Sequence, residues 1–427
     1  MTDAFDGRRL PVAIVGGGQA GLSMSYCLSE RNIEHVLIER DRVAQDWRER
    51  RWDSFCLVTP NWQCRLPGFS YPGGDPHGFM RKDEIVSYLE EYAARIAAPL
   101  VEGVEVTTLR AGESAPFELE TTAGRLSADH VVVATGGYHQ PGVPPVAERL
   151  RREVQQEHSS SYRNPEQLPA GDVLVVGTGQ SGCQIAEDLH LAGRQVHLAV
   201  GGAPRVSRFH RGRDVTDWLE EMGHYDLPVS HHDNGVGVRL QANHYETGRD
   251  GGRDIDLRQS AAEGMELYGR LLDLRDARAA FADDLAANLD RADEVLNGIN
   301  AAIDQYIAEH DVDASPEEPP YQPAWRPEPG ARELDLDAAG IASVVWCTGF
   351  RRDYRWIELA AFDGRGYPSH ERGVSRVTGL FFLGLPWLWT WGSGRFASVG
   401  RDAEFLAERI AARRNFGGVG ALAGSAR

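Results

Sequence analysis

The sequence predicts an α/β fold with two parallel-sheet domains, the second inserted in the first. Two observations carry this prediction. First, two apolar strands each run into a Gly-x-Gly-x-x-Gly turn with a helical pattern behind it. The turn glycines are Gly16, Gly18 and Gly21, then Gly177, Gly179 and Gly182. Second, apolar strands ending in glycine return late in the chain, at 344–349 and 379–384, so the C-terminal part is expected to complete the first domain.

The first glycine turn predicts a Rossmann-like unit that binds a dinucleotide. Its first glycine permits the tight turn, its second lets the backbone approach a pyrophosphate, and its third lets helix and strand pack closely. Gln19 and Ala20 open the helix whose free N–H groups face that phosphate. Glu39 ends the next apolar strand, where a carboxylate binds the ribose, and Arg40 stands beside it.

The second glycine turn repeats this pattern, with Gln180 and Ser181 opening its helix. Its next strand ends at Gly201 without an acid, and Arg205 and Arg208 follow within a few residues. A missing carboxylate with nearby arginines favours a 2′-phosphate, and hence NADPH over NADH. The alternative is that these arginines belong to a solvated basic loop.

Domain boundaries follow from changes in composition. Three prolines within 141–145 indicate a linker, and from about 214 the apolar spacing becomes helical, with a stripe between Leu285 and Tyr306. The prediction is a first domain of residues 1–145 and 335–427, a second-domain core of 146–213 and a mainly helical insert of 214–334. The length of 427 residues suits two to three domains.

Bulk composition excludes several functions. With 63 acidic and 45 basic residues, the net charge of −18 repels nucleic acids and anionic membranes. The five cysteines form no C-x-x-C pair, which argues against a redox dithiol or a metal site. No secretory signal or stretch long enough to span a bilayer is evident, so we expect a cytoplasmic protein without stable membrane association.

Together these residues resemble the class B flavin monooxygenases, a group that includes flavin-containing monooxygenases, plant YUCCA enzymes and Baeyer-Villiger monooxygenases. The likeness covers about residues 10–414. It implies that the first turn and Glu39 hold FAD, and that the second turn holds NADPH. The family's two linker strands are matched by residues 134–137 (Ala134, Thr135, Gly136 and the next glycine) and by 347–350, which includes Gly349.

The resemblance also suggests further site residues. Trp47 matches the tryptophan segment that meets the flavin, and Asn61 is a candidate for the family's asparagine near the flavin ring. His158 begins the second half of the monooxygenase fingerprint, whose first half departs at Arg152 and Val154. Asn61 and His158 are therefore the catalytic candidates, although a histidine at a domain junction can also simply satisfy backbone carbonyls.

The last strand of the first domain departs from the family as well. Gly384 is followed by Leu385, so the acid that usually contacts the ribityl chain is missing. Backbone N–H groups around Ser393, opening the last helix, are expected to face the flavin pyrimidine edge instead.

The implied reaction is a monooxygenation. NADPH reduces FAD, O2 adds to form a C4a-peroxyflavin, and one oxygen atom passes to a small substrate. The insert and C-terminal part look closer to uncharacterised bacterial flavoproteins associated with nitrilase gene clusters, which favours a nitrogenous substrate and N-hydroxylation. Baeyer-Villiger or sulfur oxygenation, or an NADPH oxidase or reductase without oxygenation, are the alternatives. The expected partners are this substrate and O2, and a homodimer is left open.

Overall fold

Two sheets with parallel cores organise the chain. The structure, a computed structural model, describes Phe5, residues 7–275, 277–330 and 332–422, with side chains up to Arg413. The first sheet has nine strands, and strands from both ends of the chain pair in parallel at its centre. Across the sheet they are His370–Glu371, Val374–Ser375, Leu380–Phe382, Gly124–Val133, Arg8–Val15, His35–Ile38 and Leu100–Val101, with Phe117–Thr121 and Val106–Ala111 branching antiparallel from Gly124–Val133.

The second sheet is parallel throughout and has five strands. In order across the sheet they are Gln155–His158, Ile341–Trp346, Asp172–Val176, Val196–Ala199 and Glu266–Tyr268. Parallel strands need covering on both faces, which explains why the central strands of both sheets are apolar without alternation. The predicted fold of two Rossmann-like domains is confirmed.

Shorter strands and the helices complete the fold. A three-stranded sheet contains Leu271–Arg275, Arg278–Phe281 and Glu333–Asp335, and three two-stranded ribbons pair Arg65–Leu66 with Phe69–Ser70, Gln140–Pro141 with Phe350–Arg351, and Phe209–His210 with Arg213–Asp214. The α-helices are Gln19–Ser29, Gln45–Glu49, Lys82–Arg95, Gln180–Leu191, Val215–Glu221, Leu257–Ala262, Leu285–His310 and Val399–Leu422.

The strand pairing differs from the predicted division of the chain in two places. Ile341–Trp346 lies between two strands of the second sheet, although the prediction gave residues from 335 onward to the first domain. Glu266–Tyr268, inside the segment predicted as mainly helical, adds an edge strand to the same sheet. Local periodicity does not reveal which sheet a buried strand joins, because both sheets bury both faces.

The two sheets are joined by crossing segments. Gln140–Pro141 pairs antiparallel with Phe350–Arg351, so the two connections between the domains run side by side. The helix Leu285–His310 confirms the helical stripe, of which Leu285, Leu289, Ala292, Leu296 and Ile303 are buried. Among the described residues, no helix is long and apolar enough to cross a membrane.

Candidate functional site

A cavity of about 1370 Å³ opens between the two sheets and reaches both glycine turns. Ligands of open α/β sheets bind at the carboxyl ends of the parallel strands, and both turns stand at such ends. Most of the predicted cofactor-binding residues line this cavity. They are Gly16, Gly18, Gln19, Ala20, Glu39, Arg40, Trp47, Ala134, Thr135, Gly136, Gly177, Gly179, Gln180, Ser181, Gly349, Gly384 and Ser393.

Each glycine of the first turn has a distinct geometric role. Gly16 has φ +111°, and a Cβ there would stand 2.6 Å from the carbonyl oxygen of Ala134. A Cβ on Gly21 would stand 1.9 Å from the carbonyl oxygen of Gly16, so this glycine packs the helix on the turn and lies outside the cavity lining. Gly18 has nothing within 4 Å of its Cβ position. The open backbone at Gly18, ahead of the helix Gln19–Ser29, fits a pyrophosphate.

Glu39 is held beside this turn by two backbone donors. Its Oε2 accepts the N–H of Gly17 at 2.6 Å, and its Oε1 accepts the N–H of Asp41 at 3.0 Å. Burial raises the pKa of Glu39, whereas the donors from Asp41 and Gly17 act in the opposite direction. The carboxylate lies in the cavity wall at the end of the strand next to the turn. This position fits a carboxylate that accepts the hydroxyl groups of a ribose.

The second turn repeats the first in detail. Gly177 has φ +105°, and its Cβ would stand 2.6 Å from the carbonyl oxygen of Cys347, whereas Gly179 is open. A Cβ on Gly182 would stand 1.9 Å from the carbonyl oxygen of Gly177, so Gly182 also packs the helix and does not line the cavity. The same physical roles at the same spacing make this a second nucleotide cradle.

The two arginines predicted to bind the 2′-phosphate are not in the cavity wall. Arg205, only 2% exposed, pairs with Asp293 at 3.0 Å and Asp256 at 3.4 Å. Arg208 is fully buried between two carboxylates, pairing with Glu246 at 2.9 Å and also with Asp214. Both guanidinium groups are therefore already neutralised inside the protein, and the predicted role does not match their positions. Three of the four partners, Asp256, Asp293 and Glu246, lie some 40 to 90 residues further along the chain, so the local run of arginines gave no sign of them.

A different arginine lies beside the chain that leaves the strand Val196–Ala199. The N–H of Gly201 donates to Thr178 Oγ1 at 2.8 Å, which ties the end of the strand Val196–Ala199 to the second turn. At the next residue, Gly202, the Nη1 atom of Arg291 is 3.4 Å from the Cβ position. Arg291 is exposed on the helix Leu285–His310 and forms no ion pair with the described residues. Sequence reasoning missed it because it is some 90 residues further on, in the insert.

The predicted flavin side of the cavity is a connected wall. Trp47 packs against Phe396 with ring centres 5.9 Å apart, and its Nε1 is 3.5 Å from Gln19 Oε1. The other end of the Gln19 amide donates to the carbonyl oxygen of Gly394 at 3.4 Å. Both hydrogen bonds of the Gln19 amide are long and therefore weak. Gly384 has φ +81° and its Cβ would be 2.7 Å from Cβ of Ala20, so the last strand crosses close over the first helix.

Ser393 closes this wall. Its Oγ accepts the backbone N–H groups of Trp389 at 3.1 Å and Thr390 at 3.0 Å. Asp402, in the first turn of the final helix, also interacts with the Ser393 side chain and is 3% exposed. Burial raises the pKa of Asp402 to about 6, with smaller opposing effects from Ser393 and nearby arginines.

Neither catalytic candidate lines the cavity. The His158 ring bonds through Nε2 to the carbonyl oxygen of Gly349 and through Nδ1 to Ser160 Oγ, both at 2.9 Å. Burial lowers the pKa of His158, so the ring is neutral near pH 7. Asn61 donates from Nδ2 to the carbonyl oxygen of Asp75 at 2.9 Å, while its buried Oδ1 accepts no hydrogen bond from any described residue. Neither side chain therefore faces the space in which the cofactors are predicted to bind.

The remaining cavity wall comes from the insert and from the tryptophan-rich loop after the last strand. Helices and loops of the insert meet the loop before the final helix there, and the side chains combine apolar, aromatic and charged groups. The side chains that line this part of the cavity include those of Tyr225, His244, Glu246, Trp391 and Arg395. Three separate segments supply them, around residues 225, 244–246 and 391–395.

Comparison with known proteins places the chain in a family. The pyridine nucleotide-disulphide oxidoreductase family matches residues 13–227. An uncharacterized CzcO-like oxidoreductase of Geobacillus kaustophilus is 33% identical over 402 residues, covering 93% of this chain and 97% of the relative. The indole-3-pyruvate monooxygenase YUCCA1 of rice is 33% identical over 202 residues, covering 45% of this chain and 48% of that enzyme.

Solved structures share the fold along nearly the whole chain. A flavin-containing monooxygenase from Stenotrophomonas maltophilia aligns with a TM-score of 0.66 and 17% identity over 95% of this chain and 99% of its own. The ornithine N-hydroxylase of Kutzneria sp. 744, solved with reduced FAD, NADP+ and L-ornithine, aligns with a TM-score of 0.61 and 16% identity over 95% of this chain and 100% of its own.

The fold and the two nucleotide cradles define a two-domain flavoprotein oxidoreductase. The chain belongs to the pyridine nucleotide-disulphide oxidoreductase family, and the resemblance to class B flavin monooxygenases is confirmed. The two nucleotide cradles fit two dinucleotide cofactors, and the Kutzneria neighbour was solved with reduced FAD and NADP+. The described cysteines are all free, at positions 27, 56, 64, 183 and 347.

Proposed function

We propose that this FAD- and NADPH-dependent monooxygenase transfers one atom of O2 to a nitrogen atom of a small substrate. The observation that carries the proposal is one continuous cavity that joins both nucleotide cradles to a pocket built by the insert. When bound, the flavin supplies the hydride acceptance and the oxygen chemistry. The chain's own residues bind and orient the two nucleotides and exclude water from the space between them.

The choice of nitrogen is supported by a carboxylate in the wall of that pocket. Glu246 lies in the cavity lining, is 8% exposed and shares the single guanidinium of Arg208 with Asp214. Two carboxylates around one guanidinium leave a net negative charge, although burial raises the pKa of Glu246. Such a group favours an amine, because it can accept a hydrogen bond or proton from the nitrogen that must attack with a free electron pair.

The backbone of Glu246 is tied to the second nucleotide cradle. Its carbonyl oxygen accepts the side-chain amide of Gln184 at 2.9 Å and that of Gln180. Gln180 is the first residue of the helix that follows the second glycine turn. We infer that a bound coenzyme and a bound amine are positioned by the same segment, which keeps the nitrogen at a fixed place relative to the nicotinamide nucleotide.

Other residue roles belong to the same proposal. His158 and Asn61 are positioning residues, His158 acting through the carbonyl group of Gly349 in the cavity wall. Arg291 takes the place of Arg205 and Arg208 as the partner of the 2′-phosphate, since it lies beside Gly202 and forms no ion pair with the described residues. A cytoplasmic location is supported by the free state of the described cysteines. A homodimer stays a prediction.

The test is incorporation of labelled oxygen. Purified protein is supplied with NADPH, 18O2 and a panel that contains primary amines, sulfides and ketones, and the products are analysed by mass spectrometry. The proposal predicts one 18O atom in an N-hydroxylated amine and consumption of about one NADPH per product. Label found in a sulfoxide would instead identify sulfur as the oxygenated atom, and label found in an ester would identify a Baeyer-Villiger oxygenation. Electrons recovered only as hydrogen peroxide, with every substrate, would identify an NADPH oxidase.

A variant connects the proposal to Glu246. Glu246→Gln keeps the shape and the contact with Arg208 but removes the negative charge. We expect KM for amines to rise about tenfold or more while the anaerobic rate of flavin reduction by NADPH stays within a few-fold. Asp250→Asn, in the same loop region but 70% exposed, is the control and should change neither quantity. An unchanged KM in Glu246→Gln would remove this residue from substrate binding.

A further inference from the structure

On the side of the cavity that the insert lines, one guanidinium group forms no ion pair with the described carboxylates. Arg395 lies before the final helix Val399–Leu422, and its guanidinium carbon is 4.2 Å from the centre of the Trp391 ring. It reaches Asn243 Oδ1 at 3.5 Å, which is a weak hydrogen bond. Within the described part of the chain, no carboxylate lies within ion-pair distance of it. The positive charge of Arg395 acts on Glu246, where it opposes the rise in pKa, but no ion pair with a described carboxylate neutralises it.

Arg395 differs in this respect from a neighbouring arginine. Arg208, buried behind the same pocket, is matched by Asp214 and Glu246. The chain has a net charge of −18, so carboxylates are plentiful. A partly buried arginine costs free energy unless an anion or hydrogen-bond acceptors satisfy it. The missing partner of Arg395 is therefore expected to arrive with a ligand.

The groups around Arg395 do not compete for that ligand. Burial, followed by the charge of Arg395, lowers the pKa of His244 to about 4. Burial likewise lowers the pKa of His224, with His232 and Arg395 adding to the effect. Both imidazoles are therefore neutral near pH 7, and Arg395 supplies the positive charge of this part of the wall.

An aromatic surface lies beside the guanidinium. The rings of Tyr225 and Trp391 have centres 4.4 Å apart, and both line the cavity. Leu219 and Val215 extend the apolar wall on the insert side. A ligand that places an anionic group on Arg395 can therefore pack its carbon skeleton on these rings. Such a combination of a few polar groups on an apolar wall is typical of small-molecule sites.

The geometry points to a substrate that carries a carboxylate, bound by Arg395, in addition to the nitrogen that reacts. This deepens the proposed function and rests on it for the reacting nitrogen, which we place near Glu246. The substrate class is thus an amine with an acid group and an apolar skeleton between them. The positive Arg395 and the negative Glu246 on one cavity wall select such a molecule over a simple amine.

The experiment measures binding, so that it does not depend on turnover. The probes are 3-phenylpropionate and its neutral isostere 3-phenylpropionamide, titrated by calorimetry into the oxidised holoenzyme. We expect the carboxylate to bind at least about tenfold more tightly than the amide, the effect of one charge-assisted hydrogen bond. Arg395→Gln should abolish this preference and Arg395→Lys should retain part of it.

Arg213→Gln is the matched control. Arg213 also covers a tryptophan, with its guanidinium carbon 3.9 Å from the centre of the Trp218 ring, but it pairs with Glu221 at 2.9 Å and does not line the cavity. This variant should keep the full preference for the carboxylate. Flavin content, read from the absorbance near 450 nm, is measured in every variant to verify that the FAD site is intact.

The outcomes separate this inference from the proposed function. Equal binding of acid and amide to the unchanged protein would overturn the inference, even if amines are N-hydroxylated. A preference that survives in Arg395→Gln would also overturn it. If Arg395→Gln lost its flavin and the unchanged protein showed no preference for the carboxylate, Arg395 would be a residue that binds FAD and the inference would be overturned. A carboxylate preference that depends on Arg395, without label in any nitrogen, would support the inference and refute N-hydroxylation.

Discussion

The Nε2 atom of His158 lies 2.9 Å from the carbonyl oxygen of Gly349. Gly349 has φ +82° and lines the cavity just after the strand Ile341–Trp346. A similar contact occurs on the other side, where His139 Nε2 lies 3.1 Å from the carbonyl oxygen of Gly136. Burial lowers the pKa of both imidazoles, so each is a neutral ring that fixes a glycine loop of the cavity wall.

His158→Ala is therefore expected to loosen the wall without slowing hydride transfer. The anaerobic rate of flavin reduction by NADPH should stay within a few-fold, since that step needs no proton-transfer residue, while the share of NADPH lost as peroxide should increase. Stopped-flow absorbance and a peroxide assay measure the two quantities. His139→Ala serves as the comparison for the other loop. Strongly slowed reduction with intact coupling in His158→Ala would instead place this histidine in coenzyme docking.

Gly18→Val should give a folded but colourless protein. Nothing lies within 4 Å of the Gly18 Cβ position, so the chain itself tolerates the side chain, which would fill the space predicted for the pyrophosphate. Gly21→Val, whose Cβ would be 1.9 Å from the carbonyl oxygen of Gly16, should lose the fold as well. Circular dichroism and the ratio of absorbance at 450 and 280 nm distinguish the two. Full flavin occupancy in Gly18→Val would contradict the assignment of this turn.

Arg291→Ala should weaken NADPH selectively. Losing one charge-assisted phosphate contact costs about 1.5 to 3 kcal/mol, so kcat/KM with NADPH should fall roughly tenfold to hundredfold, with little change for NADH. Binding of 2′,5′-ADP against 5′-AMP gives a readout independent of turnover. Arg275→Ala, 79% exposed on a nearby hairpin, is the control. Equal losses with both coenzymes would refute the role of Arg291.

Arg208→Met should destabilise the protein without changing coenzyme preference. The substitution leaves the buried carboxylates of Asp214 and Glu246 without their partner, a change that typically costs about 3 to 5 kcal/mol. Urea denaturation of the FAD-saturated protein measures the loss, and the ratio of kcat/KM values for NADPH and NADH should equal that of the unchanged protein. A selective loss of NADPH efficiency at unchanged stability would restore Arg208 to the 2′-phosphate.

Asp402→Asn should stabilise the protein above about pH 6 but not at low pH. Burial raises the pKa of Asp402 from 3.8 to about 6, so the folded state holds a proton that the unfolded state releases. Stability therefore falls as pH rises from about 4 to about 6, by at most about 3 kcal/mol, and stays lower above that range. Denaturation of both proteins between pH 4.5 and pH 7.5 tests this. If the difference in stability between Asp402→Asn and the unchanged protein did not grow with pH, the pH-dependent loss of stability would not be due to Asp402.

Much of the first half of the site could be predicted from the sequence. The glycine spacing, the helices behind it and Glu39 are local features, because turn conformation and helix packing act over a few residues. The structure accordingly places Gly16, Gly18 and Glu39 around one end of the cavity. The helix Leu285–His310 could likewise be predicted from the local spacing of its apolar residues.

The prediction for the arginines was wrong for a physical reason. Distance along the chain from the strand end to Arg205 is short, but whether a guanidinium is free depends on which carboxylates pack against it. Those carboxylates, Asp256 and Asp293, come from distant helices. Arg291, which forms no ion pair within the described part of the chain, lies beside Gly202 and belongs to one of those same helices.

By itself, then, the sequence determined the two nucleotide cradles, the α/β class and the family, because each depends on short-range patterns of glycine and apolar residues. Only the tertiary structure decided the rest. In the tertiary structure, Ile341–Trp346 belongs to the second sheet, and the ring of His158 contacts the carbonyl oxygen of Gly349. Arg395 and Glu246 line the same cavity. These placements follow from packing between segments more than a hundred residues apart, and no local pattern encodes charge neutralisation or contact over such separations.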